Sequence, residues 1–229
     1  HWSRRVLAVL VLLAIAWQGW YFGWVVWWKF VNPAKTSFMS LRLDELREKD
    51  PRAELKMQWA PYERVSNHLK RAVVAAEDAK FSEHEGFDWE GIQKALEKNQ
   101  KKGKIVAGGS TITQQLAKNL FLSASKTPWR KAQEAVITLM LETVMDKRRI
   151  LEIYLNVVEW GPGIFGAEAA ARHYYGLSAA QLSAEQAARL AEETGVSERT
   201  LYRDIQALRA AGALIDGAAG TGYILTEDP

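Results

Sequence analysis

An apolar run close to the N-terminus constrains the fold of this chain more than any other feature. The run covers residues 6 to 28, and Gln18 is its only strongly polar member. These 23 residues are long enough, at the helical rise, to cross a lipid bilayer. A cleavable signal peptide is the alternative, but WKFVNPAK follows the run and offers no small-x-small cleavage site. We therefore expect residues 1 to 30 to form a cytoplasmic stub and a retained transmembrane anchor.

The residues that flank the run predict its orientation. Arg4 and Arg5 precede it, and the positive-inside tendency places the short N-terminus in the cytoplasm. Tryptophans cluster at the far end, where aromatic rings favour the membrane interface, at Trp24, Trp27 and Trp28. The sequence therefore predicts a single-pass protein whose remaining residues lie on the outer face of the membrane.

The rest of the chain has room for one domain of ordinary size. The chain has 229 residues and a net charge of only +3. It contains no cysteine, which excludes disulfides and thiolate metal sites. Residues 31 to 60 read as a short NPAKTSF linker and a charged juxtamembrane segment. We place the main domain at 61 to 191 and a separate tail at 192 to 229.

Helical periodicity dominates the main domain. A helix capped by Ser66 or Asn67 ends near Glu77, and a second amphipathic helix covers residues 89 to 99. Further helices are predicted at 111 to 122, 128 to 146, 147 to 158 and 164 to 175, with little strand pattern among them. In KRRILEIYLN we expect a core stripe at Ile150, Leu151, Tyr154 and Leu155 and solvated cations at Lys147, Arg148 and Arg149. The predicted fold class is therefore mainly α.

The segment GGSTITQQLAKN, at residues 108 to 119, has the pattern of a helix start. Thr111 and Gln114 fit the hydroxyl-x-x-amide capping box. Ser110, Gln114 and Lys118 follow at i, i+4 and i+8, which places them on one helix face. A helix N-terminus that carries hydroxyls, an amide and a lysine suits a pyrophosphate. A capped surface helix with a solvated polar side is the alternative. The opposite face is predicted to pack inward through Ile112, Leu116, Leu120 and Phe121.

Two widely spaced glutamates lie on either side of this segment. Glu77 ends a largely apolar helix, and Glu134 follows within RKAQE. Two carboxylates around a loop rich in hydroxyls, amides and lysines indicate acid/base chemistry on a large, anionic, sugar-bearing substrate. Each glutamate also has a simpler interpretation. Glu77, with Asp78, would be the solvated end of a helix, and Glu134 would form a surface ion pair with Arg130 at i,i+4.

Five successive motifs connect these residues to a known family. They are EDAKFSEHEG at 77 to 86, GGSTITQQLAKN at 108 to 119, RKAQE at 130 to 134, KRRILEIYLN at 147 to 156 and WGPGIFGAEAAARHYYG at 160 to 176. In this order they resemble the glycosyltransferases of family 51, which polymerise the glycan strands of bacterial peptidoglycan. The similarity is to their monofunctional biosynthetic transglycosylases and runs from about residue 59 to about residue 190.

The resemblance implies a lysozyme-like α-helical transferase domain at the periplasmic face of the bacterial inner membrane. It implies that Glu77 takes a proton from the 4-hydroxyl of the acceptor sugar, which attacks the anomeric carbon of the donor. Polyprenyl pyrophosphate then leaves with inversion, and Asp78 orients its surroundings. The implied substrates are lipid II and the growing glycan strand, the bilayer is a partner, and other cell-wall synthesis proteins are candidate partners.

The resemblance places Glu134 on the donor side, near the leaving pyrophosphate, either directly or through a divalent cation. No cofactor is required on this reading, with Mg²⁺ or Mn²⁺ at the pyrophosphate as the open alternative. The substrate-binding set that it implies is Asp78, Ser110, Thr111, Gln114, Lys118, Lys126, Arg130 and Lys131. His84 and His173 lack a second ligand at metal spacing, so we assign no metal to them.

The tail resembles a different family over residues 192 to 226, the helix-turn-helix and wing of DeoR/YafY-like transcription regulators. Gly195 would form the turn and Ser197 the cap, and the wing hairpin would use residues 213 to 217 and 222 to 225. From residue 192 onward, seven acidic residues and three arginines give a net charge of −4, whereas duplex-binding modules are basic. We expect no nucleic-acid binding, and a transferase domain that the tail truncates at its C-terminal side.

Three other functions remain open on the sequence. A lysozyme-like hydrolase needs one acid and no pyrophosphate site, and the lysine in GGSTITQQLAKN argues against it. A membrane-tethered DNA-binding regulator needs a basic, cytoplasmic tail. An inactive truncated transferase fused to a regulator fragment is the third.

Overall fold

The computed structural model describes residues 2–103, 108–123, 125, 127–195, 215–218 and 222–225. Helices dominate these residues, as predicted from the periodicity. Their bounds are α1 Trp2–Phe30, α2 Ser37–Lys49, α3 Asn67–Glu77, α4 Trp89–Lys102, α5 Ile112–Phe121, α6 Pro128–Val144, α7 Lys147–Val157, α8 Ala167–Tyr175 and α9 Ala184–Gly195. The strands are β1 Lys56–Met57, β2 Glu159–Gly161, β3 Ile164–Phe165, β4 Ile215–Ala218 and β5 Gly222–Leu225.

Helix α1 has the length and composition of a membrane-spanning helix. Its first two thirds are exposed, whereas Tyr21, Val25 and Trp28 are buried against the domain. The Phe121 ring of α5 lies 5.3 Å from the Tyr21 ring and 4.9 Å from the Trp28 ring, measured between centroids. The last turns of the apolar helix therefore belong to the core of the domain.

Polar contacts also hold α1 in place. The side-chain amides of Gln18 and Gln133 on α6 pair reciprocally at 2.9 and 3.0 Å. Arg149 donates to the carbonyl of Trp28 at 2.8 Å and to that of Val31 at 3.2 Å, which satisfies acceptors that the helix end leaves open. The prediction that Arg149 is solvated is therefore wrong, because this guanidinium fastens the end of α1 to α7.

The linker assignment for residues 31 to 60 also needs correction. Thr36 caps α2 by accepting the Met39 N–H at 3.1 Å, and both side chains are buried. Helix α2 packs on α5, and β1 pairs with β3. The linker proper is thus the short stretch between α1 and α2, and the segment that follows is part of the domain.

The core forms where α5 packs against α6 and α7. The inward face predicted for α5 is confirmed, with Ile112, Leu116 and Leu120 at most 1% exposed. The core stripe predicted for KRRILEIYLN is also confirmed, because its four apolar positions are all buried on α7. Helix α3 packs against α9, so its C-terminal end has a fixed position beside this core.

A small sheet of three strands, in the order β1-β3-β2, lies beside α8. Strand β3 runs parallel to β1 and antiparallel to β2. The helix predicted from residue 164 begins only at Ala167, because Gly166 has a φ of +88° that helices do not allow. A Cβ there would lie 3.0 Å from the Asn156 carbonyl oxygen. Strands of two or three residues are too short to show an alternating pattern.

Strands β4 and β5 pair antiparallel, with Ile215 opposite Leu225. They fall where the sequence predicts the wing hairpin. Gly195, which the sequence analysis assigned to the turn, is the last residue of α9. The predicted cap at Ser197 lies outside the described residues.

Asn156 is fully buried and provides a test of this packing. Its Oδ1 accepts the Ala60 N–H at 2.7 Å, and its Nδ2 donates to the carbonyls of Ala60 at 2.9 Å and Glu152 at 2.8 Å. Because an unpaired buried polar group costs about 1–3 kcal/mol, we expect Asn156→Ala to lower the free energy of unfolding by about 3 kcal/mol. Denaturant unfolding of the detergent-solubilised protein measures it.

Asn67→Ala is the matched control, since Asn67 is exposed on α3. It should change the free energy of unfolding by less than about 0.5 kcal/mol. Equal stabilities for the two variants would show that Asn156 does not hold the segment around Ala60.

Candidate active site

The site begins where the end of α3 meets the start of α5. Glu77 is the last residue of α3 and is half-buried. The next residue, Asp78, has a side chain only 2% exposed. Its Oδ2 accepts the Ile112 N–H at 3.0 Å, and its Oδ1 lies 2.8 Å from His84 Nε2. Asp78 thus joins the two helices and fixes Glu77 beside the first turns of α5.

His84 is held in one tautomer by its neighbours. Its Nδ1 accepts the Gly86 N–H at 3.2 Å, so the ring proton lies on Nε2 and is donated to Asp78. The interpretation of His84 as a structural residue agrees with these contacts. His173 is exposed, with its Nδ1 3.5 Å from Lys56 Nζ.

The predicted capping box at the start of α5 is confirmed. Thr111 Oγ1 accepts the Gln114 N–H at 3.2 Å, and Gln114 Oε1 accepts the Thr111 N–H at 3.0 Å. Thr111 also donates to the Gly86 carbonyl at 2.7 Å. The side chains of Thr111 and Gln114 are buried, whereas Ser110 precedes the helix and is exposed. Ser110, Gln114 and Lys118 therefore do not share one accessible face, and the capping residues act on the fold here.

The amide that reaches Glu77 is Gln115, which the sequence reasoning missed. Its Nε2 donates to Glu77 Oε2 at 2.7 Å. Its Oε1 accepts the hydroxyl of Tyr154, on α7, at 3.1 Å. Gln115 precedes Lys118 by three residues on α5, a spacing that places both on one side of the helix. That spacing was the signal that could have found it.

The second part of the site is a cluster on the first two turns of α6, which begins with a Thr127 cap and a proline. Glu134 is 3% exposed and accepts from Arg130 at 2.6 Å and from Lys131. Lys131 also donates to Ser110 at 3.3 Å. The alternative of a surface ion pair is wrong, because the carboxylate at its centre is buried.

Lys118 lies between the two parts. Burial lowers the pKa of Lys118, the charge of Glu134 raises it, and Arg130 and Lys131 lower it. The charge of Glu77 raises it as well. Among the described residues, no carboxylate is within ion-pair distance of Lys118 Nζ. This nitrogen lies over the Phe38 ring, 5.8 Å from its centroid.

The charges of this arrangement leave room for an anion. Arg130 and Lys131 contact the carboxylate of Glu134, and Lys118 lies within electrostatic reach of it, so three positive charges act on this one carboxylate. The charge of Glu77, the half-exposed base candidate, also acts on Lys118. Lys126, predicted as a further cation, lies outside the described residues. In the part of the chain that the structure describes, no group of three or more acidic, histidine or cysteine side chains is arranged to hold a metal ion.

A half-buried carboxylate beside a cluster of cations, on a helical domain, suits the transfer of a group from an anionic carrier. The sequence model of the family described as Transglycosylase matches residues 44–211. The chain therefore belongs to the transglycosylase family, and it is a glycosyltransferase. The match begins inside α2, which agrees with the packing of that helix on α5, and it extends beyond residue 190.

Curated relatives carry one shared name, biosynthetic peptidoglycan transglycosylase. The chain is 67% identical to the one from Dechloromonas aromatica (strain RCB) over 191 residues, 83% of each chain. It is 63% identical to the one from Nitrosospira multiformis over 191 residues, also 83% of each chain. It is 60% identical to the one from Laribacter hongkongensis (strain HLHK9) over 210 residues, 88% of this chain and 92% of that relative.

The lowered pKa of Lys118 predicts a cost to stability. Below the folded-state pKa both states carry the ammonium, and the folded protein bears the full cost of burying it. As the pH rises from that lowered pKa toward the unfolded value of 10.5, the folded protein loses its proton first and the cost disappears. We therefore expect Lys118→Met to raise the free energy of unfolding at pH 7 by on the order of 1 kcal/mol. The gain should shrink at alkaline pH. Thermal unfolding across pH measures both.

Lys98→Met is the control, because Lys98 is exposed on α4. Its melting temperature should match that of the parent at every pH. A Lys118→Met protein that melts below the parent at pH 7 would contradict the unfavourable burial of this ammonium.

Proposed function

We propose that this enzyme polymerises lipid-linked disaccharide-peptide, lipid II, into the glycan strands of peptidoglycan and releases polyprenyl pyrophosphate. The observation that carries the proposal is that Lys118 is within electrostatic reach of both Glu77 and Glu134, while Arg130 and Lys131 contact Glu134. The names of the relatives supply the peptidoglycan substrate. The family match does not favour the hydrolase or regulator alternatives.

On the acceptor side, Glu77 is the general base. It removes the proton from the 4-hydroxyl of the acceptor sugar as that oxygen bonds to the anomeric carbon of the donor. The bond from the anomeric carbon to the pyrophosphate oxygen breaks, and its electron pair leaves with the polyprenyl pyrophosphate. Attack opposite the leaving group inverts the anomeric centre. Gln115 supports this role because its N–H group holds one oxygen of Glu77.

On the donor side, the cations stabilise the charge that develops on the leaving pyrophosphate. Lys118 has no carboxylate partner among the described residues, so its ammonium is available to a phosphate. Arg130 and Lys131 are held in position by Glu134, and Ser110 is held by Lys131. Lys126 joins this set by family resemblance alone. Asp78, Thr111 and Gln114 support the site through α5 and its cap.

The enzyme requires no cofactor in this proposal, because the cationic side chains already supply the positive charge. Both oxygens of Glu134 accept from Arg130 and Lys131, so Mg²⁺ or Mn²⁺ would enter only with the oxygens of the pyrophosphate. We therefore expect EDTA to lower the initial polymerisation rate less than about threefold, a smaller effect than losing a positioned catalytic group. Restoration of activity only by Mg²⁺ or Mn²⁺, from below a tenth of the starting rate, would contradict it.

The enzyme works at the membrane surface, as a single-pass protein with its domain on the outer face of the inner membrane. Helix α1 packs on α6, whose outer side exposes Trp129, Val136 and Leu139 beside the anchor. The donor cluster lies on that same helix. An apolar surface at this place keeps the site within reach of a substrate whose polyprenyl tail stays in the bilayer. Partners among other cell-wall synthesis proteins stay a prediction.

Glu77→Gln tests the catalytic assignment, because it removes the base and keeps the shape. Loss of a positioned base costs about 10²- to 10⁴-fold in rate, so we expect that loss in glycan polymerisation. Binding of lipid-linked donor should stay within about twofold of the parent, since the donor-side cations are untouched. Product length and initial rate with purified lipid II measure the first, and equilibrium binding to vesicles that carry lipid II measures the second.

Two matched variants complete this experiment. Glu83→Gln changes an exposed carboxylate in the same segment and should polymerise like the parent. Lys118→Met should show the reverse pattern, with donor affinity about tenfold weaker, as the loss of one charge-assisted contact predicts. A Glu77→Gln protein that retains more than about a tenth of the parent rate would remove Glu77 from this role.

A further inference from the structure

A buried tyrosine of α7 is connected to the base through one amide. Tyr154 is 1% exposed, and its hydroxyl lies 3.1 Å from Gln115 Oε1. The Nε2 of that amide lies 2.7 Å from Glu77 Oε2. Three side chains from three helices thus form one line that ends at the carboxylate. The polymerisation mechanism described above does not use the tyrosine.

The chemistry of the three groups allows only one direction for these hydrogen bonds. An ionised carboxylate only accepts, so Gln115 must turn its NH₂ group toward Glu77. The amide oxygen then faces Tyr154, and the tyrosine must be the donor. Burial, followed by the charges of Glu77 and Asp78, raises the pKa of Tyr154, so the phenol keeps its proton. The hydroxyl therefore fixes which end of the amide meets the base.

We propose that Tyr154 is a positioning residue for the general base, acting through the side-chain amide of Gln115. The inference rests on the proposed role of Glu77. With Oε2 held by Gln115, the other oxygen of Glu77 accepts no hydrogen bond from the residues that the structure describes. That oxygen is the one left to receive the proton of the acceptor hydroxyl. Without the tyrosine hydroxyl, the amide turns freely and presents its oxygen to the carboxylate part of the time.

Tyr154→Phe isolates this effect, because it keeps the buried ring and removes only the hydroxyl. We expect kcat for polymerisation to fall about tenfold, the size expected for one hydrogen bond lost at a reacting group. KM for lipid II should stay within about twofold, since the donor cations are unchanged. If Tyr154 had only a structural role, Tyr154→Phe would lower the melting temperature without lowering kcat at an unchanged KM.

The pH profile is the second readout. Two titratable groups interact electrostatically with Glu77, namely Lys118 on α5 and Tyr154 on α7. Asp78 is its neighbour along the chain. A donor to the carboxylate favours its ionised form, so losing the fixed donor makes the ionised base less favourable. In Tyr154→Phe the acid limb of kcat should move to higher pH. If the tyrosine instead destabilised the ionised form of Glu77, its removal would move the acid limb to lower pH.

A double-variant cycle with Gln115→Leu tests the connection itself. If Tyr154 acts only through the amide, Tyr154→Phe adds less than about twofold to the loss already caused by Gln115→Leu. Independent action would multiply the two losses. Tyr175→Phe is the control, because that hydroxyl donates to the Gln186 carbonyl at 3.4 Å, and its kcat and pH profile should match the parent.

The outcomes separate this inference from the proposed function. A Tyr154→Phe enzyme with parental kcat and acid limb, or multiplicative losses in the double variant, overturns the positioning role and leaves Glu77 as the base. An active Glu77→Gln enzyme overturns both. An inactive Glu77→Gln enzyme together with a shifted acid limb in Tyr154→Phe and non-additive losses supports both. Measuring all variants on the full chain in the same detergent, with melting temperatures beside the rates, excludes unfolding as the cause.

Discussion

The geometry of the site depends on the carboxylate of Asp78. This buried side chain accepts from the first N–H group of α5 and from His84, so it joins the end of one helix to the start of another. A carboxylate at a helix N-terminus is stabilised by the unpaired N–H groups and the helix dipole there. Glu77 precedes Asp78, and Gln115 follows in the first turn of α5. The hydrogen bond of 2.7 Å from Gln115 to Glu77 therefore depends on Asp78, which holds the two helix ends together.

Helix α1 and the candidate active site share their supporting helices. Gln18 of α1 pairs with Gln133, the residue directly before Glu134, and the Phe121 ring that ends α5 packs between aromatic rings of α1. Because protein interiors are close-packed, a shift of α1 would be felt on the two helices that carry the donor cations. The buried amide pair in an otherwise apolar helix also explains why a polar residue is tolerated at position 18. The last turns of α1 thus serve as part of the domain core.

Local signals predicted most of the helical framework, because caps and apolar periodicity act over a few residues. The caps at Ser66 and Thr111 and the position of Glu77 at a helix end were all visible in this way. Tertiary contacts could not be predicted from these local signals. The role of Gln115 depends on Tyr154, 39 residues later along the chain, and the burial of Glu134 depends on how α6 packs. The folding of α2 into the domain likewise needs α5 as its partner.

The places where local rules failed are those where the site requires an unfavourable arrangement. A half-buried lysine with no carboxylate partner among the described residues is costly, and a glutamate at 3% exposure is tolerated because Arg130 and Lys131 neutralise it. In the proposed function, binding of the pyrophosphate group offsets these costs, since its negative charge balances the charge around Lys118. In the proposed function, the positive charge is arranged in advance for the leaving group, at a cost to the stability of the free enzyme. Preorganised charge of this kind stabilises a transition state without further rearrangement, and it is the same property that makes the empty site electrostatically unfavourable.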